Sequence, residues 1–334
     1  MFNSLVSPTS QQPWTEPVQV ELERVEATLR SAVESSVPRL LEASTNLLEA
    51  GGKRLRPCVT LLWAKACGAD GDAERMIPVA AATELIHMAT LMHDDVIDRS
   101  DLRRGRRTAN AFWGNKVSVL TGDYVLCRAF DLLVQHGSIE ILRILAGVTM
   151  AMTESEALQA ASEGSVEEWR ENYWRIISGK TAGFIQACCE AGAVFAEAEP
   201  NHRRAAASYG ADLGLAFQIT DDLLDLIGRP TATGKRVGSD LKDGKVTLPV
   251  LLTLDGCSEE ARTDLAELIS SRELTDADME RIRALAQATG AVDETRVVAA
   301  RHSAAAADAL TSLPDTPARS GLRELAKQVV ERTG

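Results

Sequence analysis

The sequence predicts an all-α protein, and three observations support this fold class. Ala and Leu are abundant, and both are strong helix formers. Aromatic residues make up only 4% of the chain, and no run of alternating Val, Ile, Thr or Tyr is long enough to build a sheet. With 334 residues, 45% of them hydrophobic, the chain can bury a sizeable core near the upper size limit of one domain.

The elements follow from apolar periodicity, glycine breaks and prolines in the first turn of a helix. Residues 1–16 are polar and contain Pro, Ser and Gln, which is typical of a loose N-terminal arm. Residues 17–334 contain no linker, so we expect a single helical domain. A charged turn is predicted at 101–105 and a polar loop at 231–246. The predicted helices are 18–33, 44–55, 56–66, 76–98, 117–136, 139–158, 167–194, 203–227 and 248–254, followed by an amphipathic, more charged remainder.

The helix predicted at 76–98 is apolar on nearly all sides, which is typical of a helix in the middle of a bundle. The formal charge of −12 makes nucleic acid an unfavourable partner. No segment has the length of a transmembrane span, and the N-terminus does not read as a signal peptide. We therefore expect a cytoplasmic protein.

Two aspartate clusters of the same form are the main candidates for chemistry. At helical spacing the first and last Asp of each cluster share one face, where like charges repel by roughly 0.2–0.5 kcal/mol per pair. In an apolar setting such carboxylates need a cation, so we expect the two clusters to face each other around magnesium. The alternative is a solvated acidic face. The clusters are Asp94-Asp95-Val96-Ile97-Asp98 and Asp221-Asp222-Leu223-Leu224-Asp225.

Basic residues concentrate beside these clusters in an otherwise acidic chain. Arginine forks match phosphate oxygens bidentately, so these residues are candidates for binding diphosphate. Solvated basic turns are the alternative for each group taken singly. The groups are Gly51-Gly52-Lys53-Arg54-Leu55-Arg56, Arg103-Arg104-Gly105-Arg106-Arg107, and the single lysines Lys180, Lys235 and Lys245.

Taken in order, these motifs resemble the trans-isoprenyl diphosphate synthases, or polyprenyl synthetases. The resemblance spans about residues 51–252 and includes Leu-Arg-Arg-Gly (102–105), Gly-Lys-Thr (179–181) and Phe-Gln (217–218). It implies a bundle of long antiparallel helices around a central cavity, of the isoprenoid synthase type, in a homodimer. It also implies head-to-tail condensation of isopentenyl diphosphate with an allylic diphosphate, and transient membrane contact for product release.

The resemblance also assigns roles to individual residues. The metal ligands, holding three Mg²⁺ ions with the allylic diphosphate, would be Asp94, Asp95, Asp98, Asp221, Asp222 and Asp225. The contacts to that diphosphate would be Arg103, Lys180, Thr181, Gln218, Lys235 and Lys245. The isopentenyl diphosphate site would comprise Lys53, Arg56, His87 and Arg104. The catalytic set would be Asp94, Asp98, Arg103, Lys180, Asp221 and Lys235.

Product length would be set by the residues that precede the first cluster along its helix. In the family, a bulky aromatic about five positions before the first Asp stops chain growth early. Here Ala89 and Thr90 stand at that level. The small side chains predict a long-chain product of the kind used as a quinone side-chain precursor. A short-chain farnesyl or geranylgeranyl diphosphate synthase is the alternative.

Two residues depart from the family pattern, and both concern the wall of the neighbouring cavity. Ser155 stands where Gly is common, and Trp174 stands where an aliphatic residue is usual.

Two other functions compete with this interpretation. A terpene cyclase also uses an Asp motif and magnesium, but it needs neither a second D-D-x-x-D nor a second diphosphate site. A non-catalytic regulatory subunit usually lacks one Asp motif, and here both are intact.

Overall fold

The protein is described by a computed structural model covering residues 12–69, 71, 73–228 and 238–331. The all-α fold is confirmed. Most of the predicted arm and the predicted phosphate ligand Lys235 lie outside the described residues. Pro13–Val18 forms a 3₁₀ helix in which Trp14 is 3% exposed, so ordered packing begins before residue 17, where the sequence predicts it.

Helices account for most of the described chain. From the N-terminus they are α1 (Gln19–Ala32), α2 (Pro38–Glu49), α3 (Leu55–Ala66), α4 (Ala73–Ile97), α5 (Ala109–Trp113), α6 (Asn115–His136), α7 (Ile139–Ser162), α8 (Val166–Ile177), α9 (Gly183–Phe195) and α10 (Pro200–Ile227). They continue as α11 (Ser239–Lys242), α12 (Leu248–Gly256), α13 (Glu259–Ser271), α14 (Asp276–Ala288), α15 (Ala291–Ala309) and α16 (Pro317–Glu331). A π turn (Ser178–Ala182) joins α8 to α9, and a 3₁₀ turn (Leu310–Ser312) follows α15.

Three local predictions were wrong in detail. The helix predicted at 44–55 is α2, which starts at Pro38, where proline suits the first turn, and ends before the Gly51-Gly52 break. The helix predicted at 167–194 is interrupted by the π turn. The predicted turn at 101–105 belongs to a two-stranded hairpin, β1 (Leu102–Arg103) and β2 (Arg106–Arg107).

The described residues fall into two compact units. The first comprises Met1–Gly147, Ala187–Ala207 and Leu310–Glu324. Within it α4 packs against α1, α3 and α6, and both Leu85 and Ile86 of α4 are fully buried. Contact on several sides explains why this helix is apolar all round.

The second unit comprises Val148–Gln186, Ser208–Ala309 and Leu325–Gly334. Its core is built from α8, the C-terminal part of α10 and α12–α15. Two glycines of α10 let the backbone of the segment after α8 approach closely. A Cβ atom on Gly210 or Gly214 would lie 2.4 Å from the Cα atom of Gln186 or Ala182, respectively. This contact holds the π turn against α10.

Among the described residues, none of the helices combines the length and the apolar character needed to cross a membrane. The single domain predicted for residues 17–334 stays a prediction.

Candidate active site

Both aspartate clusters lie in the last turns of long helices, α4 and α10. The helix macrodipole is negative at this end, so carboxylates here are disfavoured and cations are attracted. Neither helix has a basic residue in its last turn to offset the charge. The local backbone therefore makes each cluster a place where a bound cation stabilises the fold.

In the first cluster the middle carboxylate is held by the protein. Asp95 is 3% exposed, and its Oδ1 accepts hydrogen bonds from both Nε and Nη2 of Arg103 at 2.8 Å. Asp94 and Asp98 are partly exposed, and the Asp98 N–H donates to the Asp94 carbonyl at 2.8 Å, which continues the helical pattern. The structure thus separates one buried carboxylate from two that reach the surface.

The hairpin presents Arg103 and Arg104 beside this cluster. Leu102 pairs with Arg107 and Arg103 with Arg106, and the two turn residues are Arg104 (φ 51°) and Gly105 (φ 76°). Two consecutive left-handed residues are typical of a type I′ hairpin turn, in which glycine is favoured. Arg104 adopts this uncommon conformation without being glycine, which is a feature of functional positions.

The segment after the hairpin ties it to the end of α4. Thr108 Oγ1 donates to the Ser100 carbonyl at 2.7 Å. Asn110 Nδ2 donates to the carbonyls of Ser100 and Asp95 at 3.0 and 3.1 Å. These bonds give Thr108 and Asn110 a structural role, because they tie the segment after the hairpin to the end of α4 and to Ser100, which follows it.

A buried ion network supports the basic loop before α3. Arg54 is 5% exposed and has φ 48°. Its Nη1 donates to Glu84 Oε1 at 2.9 Å, its Nη2 donates to Glu26 Oε2 at 3.3 Å, and its Nε also pairs with Glu26. Buried charges need such partners, so Arg54 anchors the loop that carries Lys53 and Arg56. Lys53 is exposed and Arg56 is partly exposed.

His87 lies within the electrostatic reach of this loop and of the hairpin. Burial, followed by the charges of Arg56 and Arg104, lowers the pKa of His87 well below its ordinary value. The imidazole is therefore neutral at physiological pH and keeps one N–H donor. A Cβ atom on Gly52 would lie 2.8 Å from Arg104 Nη1, so the glycine leaves room for that guanidinium. The structure brings together three of the four predicted isopentenyl diphosphate ligands, Arg56, His87 and Arg104.

In the second cluster the three carboxylates have different surroundings. Asp221 is exposed, whereas Asp222 is 2% exposed and accepts hydrogen bonds from Tyr173 Oη and Gln218 Nε2, each at 2.8 Å. Burial, and then the charge of Asp240, raise the pKa of Asp222 to about 8. Asp222 is thus enclosed by hydrogen-bond donors of the protein.

Asp225 caps the start of α11. Its Oδ1 accepts from the N–H and the hydroxyl of Ser239 at 3.2 and 2.9 Å, and its Oδ2 accepts from the Asp240 N–H at 3.0 Å. A carboxylate at a helix N-terminus is favoured by both the amides and the dipole. Asp225 therefore ties the last turn of α10 to the start of α11.

The π turn places Lys180 and Thr181 next to partners in the same unit. The Lys180 ammonium pairs with the Glu156 carboxylate, and Thr181 Oγ1 donates to Gln218 Oε1 at 2.7 Å. Single π turns occur frequently at functional sites. Lys245 is partly buried, and its N–H donates to the Asp240 carbonyl at 2.8 Å.

The two predicted chain-length residues lie on α4 above the first cluster. Ala89 is 1% exposed, and Thr90 is partly exposed with its Oγ1 donating to the His87 carbonyl at 2.8 Å. No large side chain is present at either position. The predicted tunnel below them stays a prediction.

The donor set fits magnesium. In the described part of the chain no three His, Cys, Asp or Glu side chains already form a metal-binding group. Mg²⁺ needs only one or two carboxylates, because water and substrate phosphate complete its octahedron. Asp94 and Asp98 supply oxygen donors at i and i+4 in one unit, and Asp221 supplies an exposed one in the other.

Sequence reasoning missed several partners of the predicted residues. Glu84 could have been suspected as a buried charge within an apolar helix. The others carry no comparable local signal, because each contacts its partner from another element; they are Glu26, Tyr173, Ser239 and Asp240.

Comparison with known proteins gives matches along nearly the whole chain. The Polyprenyl synthetase family model matches residues 37–286. The octaprenyl diphosphate synthase of Escherichia coli (strain K12) is 38% identical over 312 residues, covering 92% of this chain and 94% of the relative.

Two solved structures are similar in both sequence and fold. A decaprenyl diphosphate synthase from Rhodobacter capsulatus gives a TM-score of 0.90 at 38% identity, covering 96% of this chain and 98% of the other. A polyprenyl synthase from Caulobacter crescentus CB15, complexed with calcium and isoprenyl diphosphate, gives 0.90 at 39% identity, covering 99% and 100%.

Ser155 and Gly179 are expected to be energetically coupled. A Cβ atom on Gly179 would lie 1.9 Å from Ser155 Oγ, so Gly179→Ala should destabilise the protein by roughly 1–3 kcal/mol through overpacking. Ser155→Gly removes the obstructing side chain. We expect the double variant to be more stable than the sum of the two single effects predicts. Urea denaturation of the parent and the three variants measures the coupling, and strictly additive effects would contradict it.

His87 is expected to make stability depend on pH. The unfolded chain binds a proton on this ring below about pH 6.5, whereas the folded chain resists it because the folded pKa is depressed. The stabilisation is complete above that pH and is lost as the pH falls towards the folded pKa. Between about pH 7 and about pH 5 the free energy of unfolding of the His87→Gln variant should therefore fall less steeply than that of the parent. Urea denaturation at both values measures this; equal pH dependence would exclude the depressed pKa.

Proposed function

The chain belongs to the polyprenyl synthetase family, and we propose that it is a trans-prenyltransferase with a long-chain product. It condenses isopentenyl diphosphate head-to-tail with an allylic diphosphate to give an all-trans polyprenyl diphosphate. One observation carries the proposal. Within the first unit, a carboxylate cluster suited to a metal-bound diphosphate lies beside a cluster of arginines and a neutral histidine suited to a second diphosphate. A two-substrate condensation needs both.

The carboxylates divide into two roles. Asp94, Asp98 and Asp221 are exposed or partly exposed, and we assign them as direct ligands of three Mg²⁺ ions. Bound magnesium neutralises charge on the departing diphosphate. The remaining predicted ligands, Asp95, Asp222 and Asp225, contribute through the protein groups that they bind.

The cationic residues bind and orient the two substrates. Lys53, Arg56, Arg104 and the neutral His87 take isopentenyl diphosphate, since guanidinium forks and an imidazole N–H all donate to phosphate oxygens. The allylic diphosphate is contacted by Arg103, Lys180, Thr181, Gln218, Lys235 and Lys245. Fixed donors of this kind stabilise the charge that develops on a leaving diphosphate.

The further features of the proposal come from the family. They are a homodimer, a cytoplasmic location and brief membrane contact during product release. The relative crystallised with calcium and isoprenyl diphosphate supports the use of a divalent cation with this class of substrate. The competing functions, a short-chain synthase, a terpene cyclase and a regulatory subunit, differ in what they do with isopentenyl diphosphate.

We expect the purified chain to elongate an allylic primer. The protein is incubated with Mg²⁺, isopentenyl diphosphate and, separately, dimethylallyl, geranyl, farnesyl and geranylgeranyl diphosphate, and products are resolved by mass. The expected products are all-trans chains in the heptaprenyl to decaprenyl range, and chelation of Mg²⁺ should abolish them.

The other outcomes identify the competing functions. Products that stop at farnesyl or geranylgeranyl diphosphate indicate a short-chain synthase. Consumption of the primer without incorporation of isopentenyl diphosphate indicates a terpene cyclase. A folded protein with no turnover indicates a regulatory subunit.

Ala89→Phe is expected to shorten the product. Ala89 is buried on the helix that leads away from the first cluster, and a phenyl ring there obstructs the growing chain. Ala89→Ser keeps a small side chain and should leave the product length unchanged. Mass analysis of products, with thermal denaturation to establish folding, makes the comparison. A folded Ala89→Phe variant with the parent's product length would refute the role of this position.

A further inference from the structure

A buried tyrosine belongs to a side-chain network that links three segments of the second unit. Tyr173 lies in α8 and is 1% exposed. Its Oη donates to Asp222 Oδ2 at 2.8 Å.

The same carboxylate is held from its other side. Gln218 Nε2 donates to Asp222 Oδ1 at 2.8 Å, and Gln218 Oε1 accepts from Thr181 Oγ1 at 2.7 Å. With a donor on each oxygen, rotation of the Asp222 carboxylate is restricted. The network thus connects α8, the π turn and α10.

We propose that Tyr173 is a positioning residue for the prenyl transfer reaction, acting through Asp222. This inference rests on the proposed function. Asp221, the exposed carboxylate assigned to magnesium, is the neighbour of Asp222 in the last turns of α10. The same Asp222 carboxylate accepts from Gln218, which in turn accepts from Thr181, and both residues are assigned to the allylic diphosphate. The Tyr173 hydroxyl therefore fixes a carboxylate that lies next to a metal ligand and is hydrogen-bonded to a phosphate ligand.

The surroundings of Tyr173 favour positioning over direct contact with substrate. The phenol ring is packed in the hydrophobic core of the second unit with Trp169, Ile176 and Leu223. Burial, and next the charge of Asp222, hold the pKa of Tyr173 well above its ordinary value, so the hydroxyl stays a donor. Removing a hydrogen bond that orients a metal ligand typically alters metal affinity or activity by 10–100-fold. Tyr173 acts one residue further out, through Asp222, so the lower end of this range applies.

The test uses Tyr173→Phe, which removes the hydroxyl and keeps the ring in the core. Two readouts are measured on the full chain: the Mg²⁺ concentration for half-maximal prenyl transfer, and calorimetric Mg²⁺-dependent binding of a non-reactive allylic thiolodiphosphate. We expect the required Mg²⁺ concentration to rise by roughly tenfold and the analogue to bind correspondingly more weakly. KM for isopentenyl diphosphate should change little, because its assigned ligands are not in this network.

Thr295→Val is the matched control. Thr295 is fully buried in the same unit, and its Oγ1 donates to the Ala291 carbonyl at 2.7 Å. The variant removes a buried hydroxyl that touches none of the assigned site residues. Thermal denaturation should show a modest loss of stability for both variants. The Mg²⁺ dependence of prenyl transfer and of analogue binding should change in Tyr173→Phe alone. The same Mg²⁺ dependence in both variants would overturn the proposal.

A double-variant cycle tests the route through Asp222. If Tyr173 acts on this carboxylate, Tyr173→Phe should have little further effect on analogue binding in an Asp222→Asn background. Independent, additive effects would overturn the route. Calorimetry also separates this inference from the proposed function. If the unmodified protein binds the analogue with Mg²⁺ but makes no polyprenyl product, the proposed function is contradicted. The comparison of analogue binding between the parent and Tyr173→Phe still tests the role of Tyr173.

Discussion

The crowding of like charges at two helix ends is the constraint on which the site depends. Asp94 and Asp95 occupy the last turn of α4 and Asp98 follows it directly, while three carboxylates occupy the last turns of α10, and the helix dipole adds further negative potential at both ends. The protein relieves part of this by giving the middle Asp of each cluster its own donors. In the proposed function, a divalent cation bound with the anionic substrate would offset the charge that is left at the surface. The electrostatics of the two helix ends would then couple metal binding to substrate binding.

The two clusters solve the same problem with different chemistry. Asp95 faces a guanidinium, so its negative charge is compensated by Arg103 and the ion pair also locates the hairpin. Asp222 is enclosed by a phenol and an amide, which donate hydrogen bonds without supplying a positive charge. Burial therefore dominates there and raises the pKa of Asp222, whereas the first cluster is built around a permanent cation. An identical sequence motif thus leads to different local electrostatics, set by partners on other elements.

The different surroundings of the two aspartate clusters could not be predicted from the sequence, whereas most of the helices could. Apolar periodicity located most helices, because the core face of a helix repeats in the sequence. The π turn, the type I′ hairpin and the cap on α11 were missed, because each depends on a local backbone conformation that tertiary contacts stabilise. The motif spacing identified candidate ligands but could not distinguish Asp221 from Asp222. Only burial by α8 and the hydrogen bonds of Tyr173 and Gln218 make that distinction.

The cationic cluster in the first unit is also a crowding of like charges, here positive ones, that partners on other elements compensate. Guanidinium groups placed close together repel, yet Arg54 and Arg103 each face carboxylates, so their charges are locally balanced. The excess positive potential around His87 then arises mainly from Arg56 and Arg104. Burial, and then this potential, keep His87 neutral, which preserves it as a donor without adding another positive charge. Glu84, buried in an otherwise apolar stretch of α4, is therefore needed to hold Arg54 in place and to limit repulsion until a diphosphate arrives.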